Sequence, residues 1–357
     1  MRDVAVHAGV SVNAVSLALR SDPSIPPGTR ERICRSAREL GYQLNPLVSA
    51  IMRQQRSRHP AATGNVVAFL TFGNHPQAWK LVEEQRCQWE GMQERAQAHG
   101  FRCEPIWAGD PAISRKRLNQ ILMARGIRGL IVGSLAEGEC RLNLEWEEFC
   151  AVAIGRSIEE PRLDRVSPAW FHGNSEVFLN LDAMGFRRIG VVLPRILDKR
   201  MERAATAVWA DWAVGRTDAV PLLRTGAEDG NIDDVFEWWK TYSPDVVVSF
   251  QDFRQEFMHR GIDSENHSAW AFLSIPAGVT GVAGIRFDYA TLGGMAMDHL
   301  VSLMLGNSTG LPERPREILL EGEWSADGLC AMERGRFSDQ LQIKKRNACY
   351  RQTAALS

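Results

Sequence analysis

The sequence predicts a small all-α helix-turn-helix domain followed by an α/β body of two Rossmann-like subdomains. Residues 2–20 place apolar side chains three and four apart on either side of Gly9. From Val66 onward, short apolar runs alternate with amphipathic stretches of about 10 to 20 residues, the pattern of parallel strands joined by crossover helices. The front of the chain is also basic. Up to Pro60 nine arginines face four carboxylates, although the whole 357-residue chain carries a net charge of −1.

The first stretch, RDVAVHAGVSVNAVSLALR, divides into two short helices. Val4, Ala5, Ala8, Val12, Val15, Leu17 and Leu19 supply the apolar positions. Gly9 can take the positive φ of a tight turn, and Ser11 offers a hydroxyl to the free N–H groups that open the second helix. Ala5 is small where the helices cross, and Val15 anchors the second helix on the first. The outer face then carries Ser11, Val12, Asn13, Ser16 and Arg20, which can bond base edges or phosphates in a major groove. Any compact helical hairpin shares the apolar spacing, so the spacing alone leaves both readings open. Thr29 and Arg30 open a third amphipathic helix, TRERICRSARELGY, with Ile33, Ala37 and Leu40 on its apolar face. A headpiece of +5 on a remainder of −6 is the footprint of a phosphate-backbone binder, which a merely solvated charged face does not explain.

Asn45 and Pro46 begin a second short amphipathic segment, NPLVSAIMRQQR, as N-cap and first helical residue. Leu47, Val48, Ile51 and Met52 share one face. Isolated helices need about 12 to 15 residues to persist in water, so this one should form only against a second copy and DNA. A plain linker whose apolar residues rest on the body is the alternative. RSRHPAATG then reads as a tether.

The runs DVAVHAGVSVNAVSLAL, PPGTRERICRSARELGY and NPLVSAIMR resemble, in order and spacing, the headpiece and hinge of the LacI/GalR family of transcriptional repressors. The resemblance spans nearly all of the first sixty residues and continues more weakly from about Val66 to Trp324. It implies a homodimer on a pseudo-palindromic double-stranded DNA operator, with a periplasmic-binding-protein-like body that holds a small-molecule effector. By resemblance Val12, Asn13 and Leu17 face bases. Asn13 can pair with adenine N6 and N7 and Val12 can meet a thymine methyl, whereas Leu17 cannot read guanine as a basic residue there would. Ser11, Ala14, Ser16, Arg20, Ser24 and Thr29 fall on phosphate positions, Ala14 without a side-chain donor. Asn45 and Arg53 add hinge contacts, and Ile51 stands where a leucine wedges into the central minor-groove step. The family carries a few more residues ahead of the position of Asp3, so the true start is expected upstream.

In these terms the headpiece is 1–44 and the hinge and linker 45–62. The first effector subdomain is 63–160 with 288–312, and the second is 161–287 with 313–330. By resemblance, the helix YATLGGMAMDHLVSLML packs back on the first subdomain and the strand REILLEGEW returns to the second. Residues 331–357 read as a disordered or loosely docked extension, with a second DNA contact from KKR at 344–346 as the alternative.

Ligands of such folds sit at the carboxyl ends of strands. That points to Thr71, Phe72, Gly73 and Trp79, and to Arg200 or Arg203. Sugar-binding relatives carry an arginine near the last place, for which Arg203 is the better match, and an aspartate where this chain has Ser274. An Asp-Asn pair of the family is replaced by Ala169 and Trp170. The expected effector contacts are therefore Phe72, Trp79, Arg203 and Ser274, with core packing the plain alternative for the two aromatics. The resemblance makes the effector carbohydrate-related, although the missing acceptors argue against an ordinary sugar.

No apolar run approaches the roughly 20 residues that span a bilayer. The N-terminus has no signal-peptide pattern, and a cytoplasmic protein without a membrane partner is expected. Seven cysteines with no CxxC pair read as idle thiols rather than a disulfide framework or a zinc site. There is no phosphate-binding Gly-rich loop ending in Lys-Ser/Thr, no HExxH and no GxSxG, so neither an enzyme nor a cofactor or metal is implied. Lone histidines such as His172 and His299 read as surface or satisfied core residues. The expectation is a sequence-specific repressor controlled by a small effector. The alternatives are a small-molecule binding protein and an effector-independent regulator with a degenerate cleft.

Overall fold

A computed structural model describes residues 2–18, 25–40, 65–135, 141–226, 232–262 and 268–329. The chain divides into two compact units, Met1–Ala62 and Thr63–Ser357, each described by itself.

In the first unit α1 (Arg2–Ala8), α2 (Val12–Ala18) and α3 (Pro27–Glu39) enclose Val4, Ala5, Ala8, Val15, Ala18, Ile33 and Ala37. Gly9 ends α1 with φ +63°. Its N–H bonds to Val6 O at 3.2 Å and that of Val10 to Ala5 O at 2.9 Å, a paired arrangement that satisfies carbonyls a helix end leaves free. The same turn sets Val10 against the core. Ser11 Oγ accepts the Ala14 N–H at 3.1 Å and so caps α2. Two details differ from expectation. α3 begins at Pro27 rather than Thr29, since proline in the first turn forfeits no internal hydrogen bond, and the N–H groups of Thr29 and Arg30 both reach Pro26 O. Leu40 is 45% exposed, because it follows the last helical residue, beyond the short helices against which Ile33 and Ala37 pack.

The body begins with strands β1 (Val66–Thr71), β2 (Arg102–Trp107), β3 (Gly129–Val132), β4 (Cys150–Ile154) and β5 (Asp164–Pro168). Next come β6 (Ile189–Pro194), β7 (Leu223–Thr225), β8 (Val246–Ser249), β9 (Ala269–Phe272) and β10 (Ala283–Arg286), then β11 (Glu317–Leu320) and β12 (Glu323–Ala326). Among the described residues they form two six-stranded sheets, ordered β11-β5-β4-β3-β1-β2 and β12-β10-β9-β8-β6-β7. The first is parallel throughout. In the second only β12 runs antiparallel, beside β10. β1, β3, β4, β6, β8 and β9 are buried along their whole length, as parallel strands covered on both faces must be, which explains their unbroken apolar runs.

REILLEGEW is two strands rather than one. β11 pairs with β5 in the first sheet and β12 with β10 in the second, so the chain crosses between sheets at Glu321–Gly322. A Cβ on Gly322 would lie 2.3 Å from Ile285 Cγ2 and 2.9 Å from the Phe287 ring, so only glycine passes there. The strands of 161–168 and 313–320 thus belong with the first sheet, where the sequence reading assigned them to the second. After β1 a 3-10 turn, Ala78–Leu81, precedes the helix Glu83–Ala98, with Val82 extended between them.

The helix Tyr289–Gly306 lies against the helix Glu83–Ala98 and against β3, β4 and β5. The two helices touch backbone to backbone. A Cβ on Gly91 would fall 1.8 Å from Ala290 O, and one on Gly293 2.0 Å from Gln88 O.

Candidate functional site

In α2 the inward positions are Val15 and Ala18, both buried, while Ser11 is exposed and Val12 is 45% exposed. Leu17 and Thr29 are half-buried. Arg32 and Arg35 of α3 face solvent. Asn13 and Ser16 lie in α2, but their side chains are outside the described residues, as are Arg20, Ser24, Asn45, Ile51 and Arg53. An exposed valine beside a capping serine gives the start of α2 an apolar contact and a hydroxyl. These are the groups that meet a thymine methyl and a phosphate when a helix enters the major groove.

In the body, a cavity of about 550 Å³ opens at the carboxyl ends of the strands. Ser134 follows β3, Arg156 follows β4, Trp170 follows β5, Arg200 ends the short helix after β6, and Gln251 follows β8. Gln88 and Tyr289 reach it from the two crossing helices. Trp170 packs edge-on against Phe287 at 5.0 Å and tilted against Phe250 at 5.6 Å, so its plane is held by other rings. Arg200 Nη2 donates to Leu135 O at 3.1 Å. The Tyr289 hydroxyl lies 2.9 Å from Ser274 Oγ, and burial pushes the phenol's pKa up, so it stays neutral. Gln88 Oε1 and Gln251 Oε1 are buried without a hydrogen-bond partner among the described residues. An indole wall with amides and a guanidinium converging on it fits a small polar ligand that stacks on Trp170.

Residues 1–45 match the family model described as bacterial regulatory proteins, lacI family. The headpiece is of the lacI type. No curated protein matches the sequence. Among solved structures, the transcriptional regulator CelR in complex with cellobiose is similar at 16% identity and TM-score 0.60, covering 92% of this chain and 98% of its own. The lac repressor dimer bound to operator and the anti-inducer ONPF is similar at 15% identity and TM-score 0.55, covering 92% and 97%. A LacI-family transcriptional regulator from Silicibacter pomeroyi is similar at 17% identity and TM-score 0.51, covering 92% and 98%. At these identities the likeness establishes that the body has their fold.

None of the four residues expected at the effector lines the cavity. Phe72 is buried with Leu70 and Leu130 on one face of the first sheet. Trp79, 3% exposed, packs with Phe69 at 6.0 Å and Trp89 at 5.4 Å in an aromatic trio beneath the other face. Arg203 is exposed, because Glu202 and Arg203 both take left-handed φ, 54° and 60°, and turn the chain after the helix Arg195–Arg200. Ser274 is buried behind Tyr289, which stands between it and the cavity lining. The cavity instead takes Arg200, the alternative to Arg203, together with Trp170, Gln251 and Gln88, which no local sequence signal marks.

Among the described residues no group of three or more His, Cys, Asp or Glu could hold a metal ion, and no helix is long and apolar enough to cross a membrane. Among the described residues Cys34, Cys87, Cys103 and Cys150 form no disulfide.

Proposed function

We propose that the protein is a homodimeric, sequence-specific repressor acting in the cytoplasm, which binds a pseudo-palindromic operator and is controlled by a small molecule in the cleft of its body. The observation that supports this most is the division of α2 between a buried edge, Val15 and Ala18, and an exposed start, Ser11 and Val12, in a lacI-type headpiece. Val12, Asn13 and Leu17 read base edges. Ser11, Ser16, Arg20, Ser24 and Thr29 hold phosphates, and Asn45, Ile51 and Arg53 serve the hinge. Trp170, Arg200 and Gln251 take the effector, replacing Phe72, Trp79, Arg203 and Ser274 in that role. The relative CelR is solved with cellobiose, which favours a carbohydrate-related ligand, and Trp170 offers a stacking surface for one. A ligand touching residues that follow strands of both sheets binds one arrangement of the sheets better than another, and only that differential affinity can shift DNA binding.

Fluorescence anisotropy with full-length protein and duplexes from beside its own gene tests this reading. One duplex should bind at least about a hundredfold more tightly than random DNA, with affinity falling steeply as salt rises. Equal affinity for every duplex would contradict it.

A further inference from the structure

A second recess of about 380 Å³ adjoins the cleft cavity and shares Arg156 and Arg200 with it. Segments of both sheets line it. Arg156 follows β4, Arg165 lies in β5 and Arg316 precedes β11, while Lys199 and Arg200 come from the helix after β6. With exposed Arg162 at the rim these make six cations, against the carboxylates of Glu159, Glu202 and Glu317. Each carboxylate already pairs with one of these cations, although Glu317 Oε1 keeps no hydrogen-bond partner among the described residues. Glu202 and Glu317 both bond Arg156, and Glu159 holds Lys199 at 2.5 Å. Arg316 is held at 2.6 Å by Asp164.

Arg165 is left over. It is half-buried, yet it makes no ion pair and no side-chain hydrogen bond among the described residues. Loss of water, then repulsion from Arg156, draws its guanidinium below the usual arginine value, against a partial offset from nearby Glu317 and Glu202. A guanidinium nevertheless remains charged in a protein, and a partly dehydrated cation without an acceptor is costly to maintain. Its planar fork matches two oxygens of a phosphate or carboxylate.

We propose that this recess binds an oxyanion, with phosphate or the phosphate group of a small molecule as the fitting ligand, held by Arg165 with Arg162 at the rim. Because both sheets contribute cations, the bound anion draws them together beside the effector cavity. The site does not depend on DNA binding or on which ligand the cavity takes, so it stands or falls separately from the proposed function.

Full-length protein is titrated in a calorimeter, at constant ionic strength, with inorganic phosphate, glucose 6-phosphate and glucose. Binding of both phosphates means that a free anion suffices. Binding of glucose 6-phosphate alone means that the recess takes the phosphate of a larger molecule. Either result supports the site when Arg165→Ala weakens it by about threefold or more and Arg165→Lys by less, the lost bidentate contact setting the scale. Arg162→Ala, at an exposed position, gives the same readout should the melting temperature show that Arg165→Ala does not fold. Silence from both phosphates, equal binding of glucose and glucose 6-phosphate, or a loss below about threefold in a folded variant overturns the proposal.

Discussion

His299 Nε2 lies 2.8 Å from Asp164 Oδ2, which ties the helix Tyr289–Gly306 to the first residue of β5. The same carboxylate accepts the Arg316 N–H at 2.8 Å and its guanidinium at 2.6 and 3.0 Å, just before β11 joins β5. Three distant segments of chain thus converge on one buried acid.

Burial alone would raise the Asp164 carboxyl, but the Arg316 N–H, the Arg316 guanidinium and His299 outweigh it and hold it below the usual carboxylate value. A carboxyl with a depressed folded pKa contributes stability above its unfolded value, about 3.9, and loses it as pH falls through the folded one. Asp164→Asn should therefore cost about 2 kcal/mol at neutral pH, and the deficit should shrink once pH drops below about 4. Thermal melts from about pH 7 to about pH 3 check this; a deficit constant over that range would count against it.

Gly91→Ala should be severe. The new methyl would meet a backbone carbonyl at 1.8 Å rather than a movable side chain, so the helices Glu83–Ala98 and Tyr289–Gly306 would have to part. We expect a loss of about 3 kcal/mol in the body, read from the urea unfolding midpoint, whereas Gly100→Ala, with nothing within 4 Å but φ +78°, should cost about 1 kcal/mol. Similar midpoints for the two would show that the helix contact is looser than described.

Ser11 separates two roles. Ser11→Ala removes the cap on the Ala14 N–H and should cost the headpiece about 1 kcal/mol, seen as roughly fivefold faster amide exchange in α2. Ser11→Asp keeps a capping oxygen and should keep the protection, yet lose DNA affinity through repulsion of a phosphate. Undiminished DNA binding by Ser11→Asp would place Ser11 away from the backbone.

The headpiece was legible because its signals are local: apolar spacing, a glycine at the turn and a serine at the cap all fall within twenty residues, and the structure uses Gly9, Ser11 and Val15 as read. The central strands were legible because burial on both faces writes itself as an unbroken apolar run. β5, β7 and β10, as DRVSP, LRT and AGIR, lack such a run and carry no comparable signal. The cleft was not legible because its residues are assembled from the ends of different strands. Trp79 sits near a strand end as a ligand-stacking residue would, but its neighbours Phe69 and Trp89 claim it for the core. Arg200 and Arg203 differ by three positions, and only the left-handed turn between them decides which faces the cavity. The crossing at Gly322 is a tertiary constraint, invisible in a segment that otherwise reads as one strand.

For the cleft, Trp170→Ala should abolish relief of DNA binding by the effector while leaving DNA affinity in its absence unchanged. Arg203→Ala, at an exposed position outside the cavity, should leave the response intact. Anisotropy titrations of both variants against a carbohydrate panel read the difference, and the reverse ranking would restore Arg203 as the ligand contact.

Selection of bound sites from random duplexes with the full-length protein and its Asn13→Ala variant measures the core of this account. The wild type should enrich two inverted half-sites, and the variant should lose preference at one base pair in each, by about 1 to 3 kcal/mol. Recovery of no common sequence, or of the same sequence with unchanged preference from both proteins, would contradict a headpiece that reads DNA through α2.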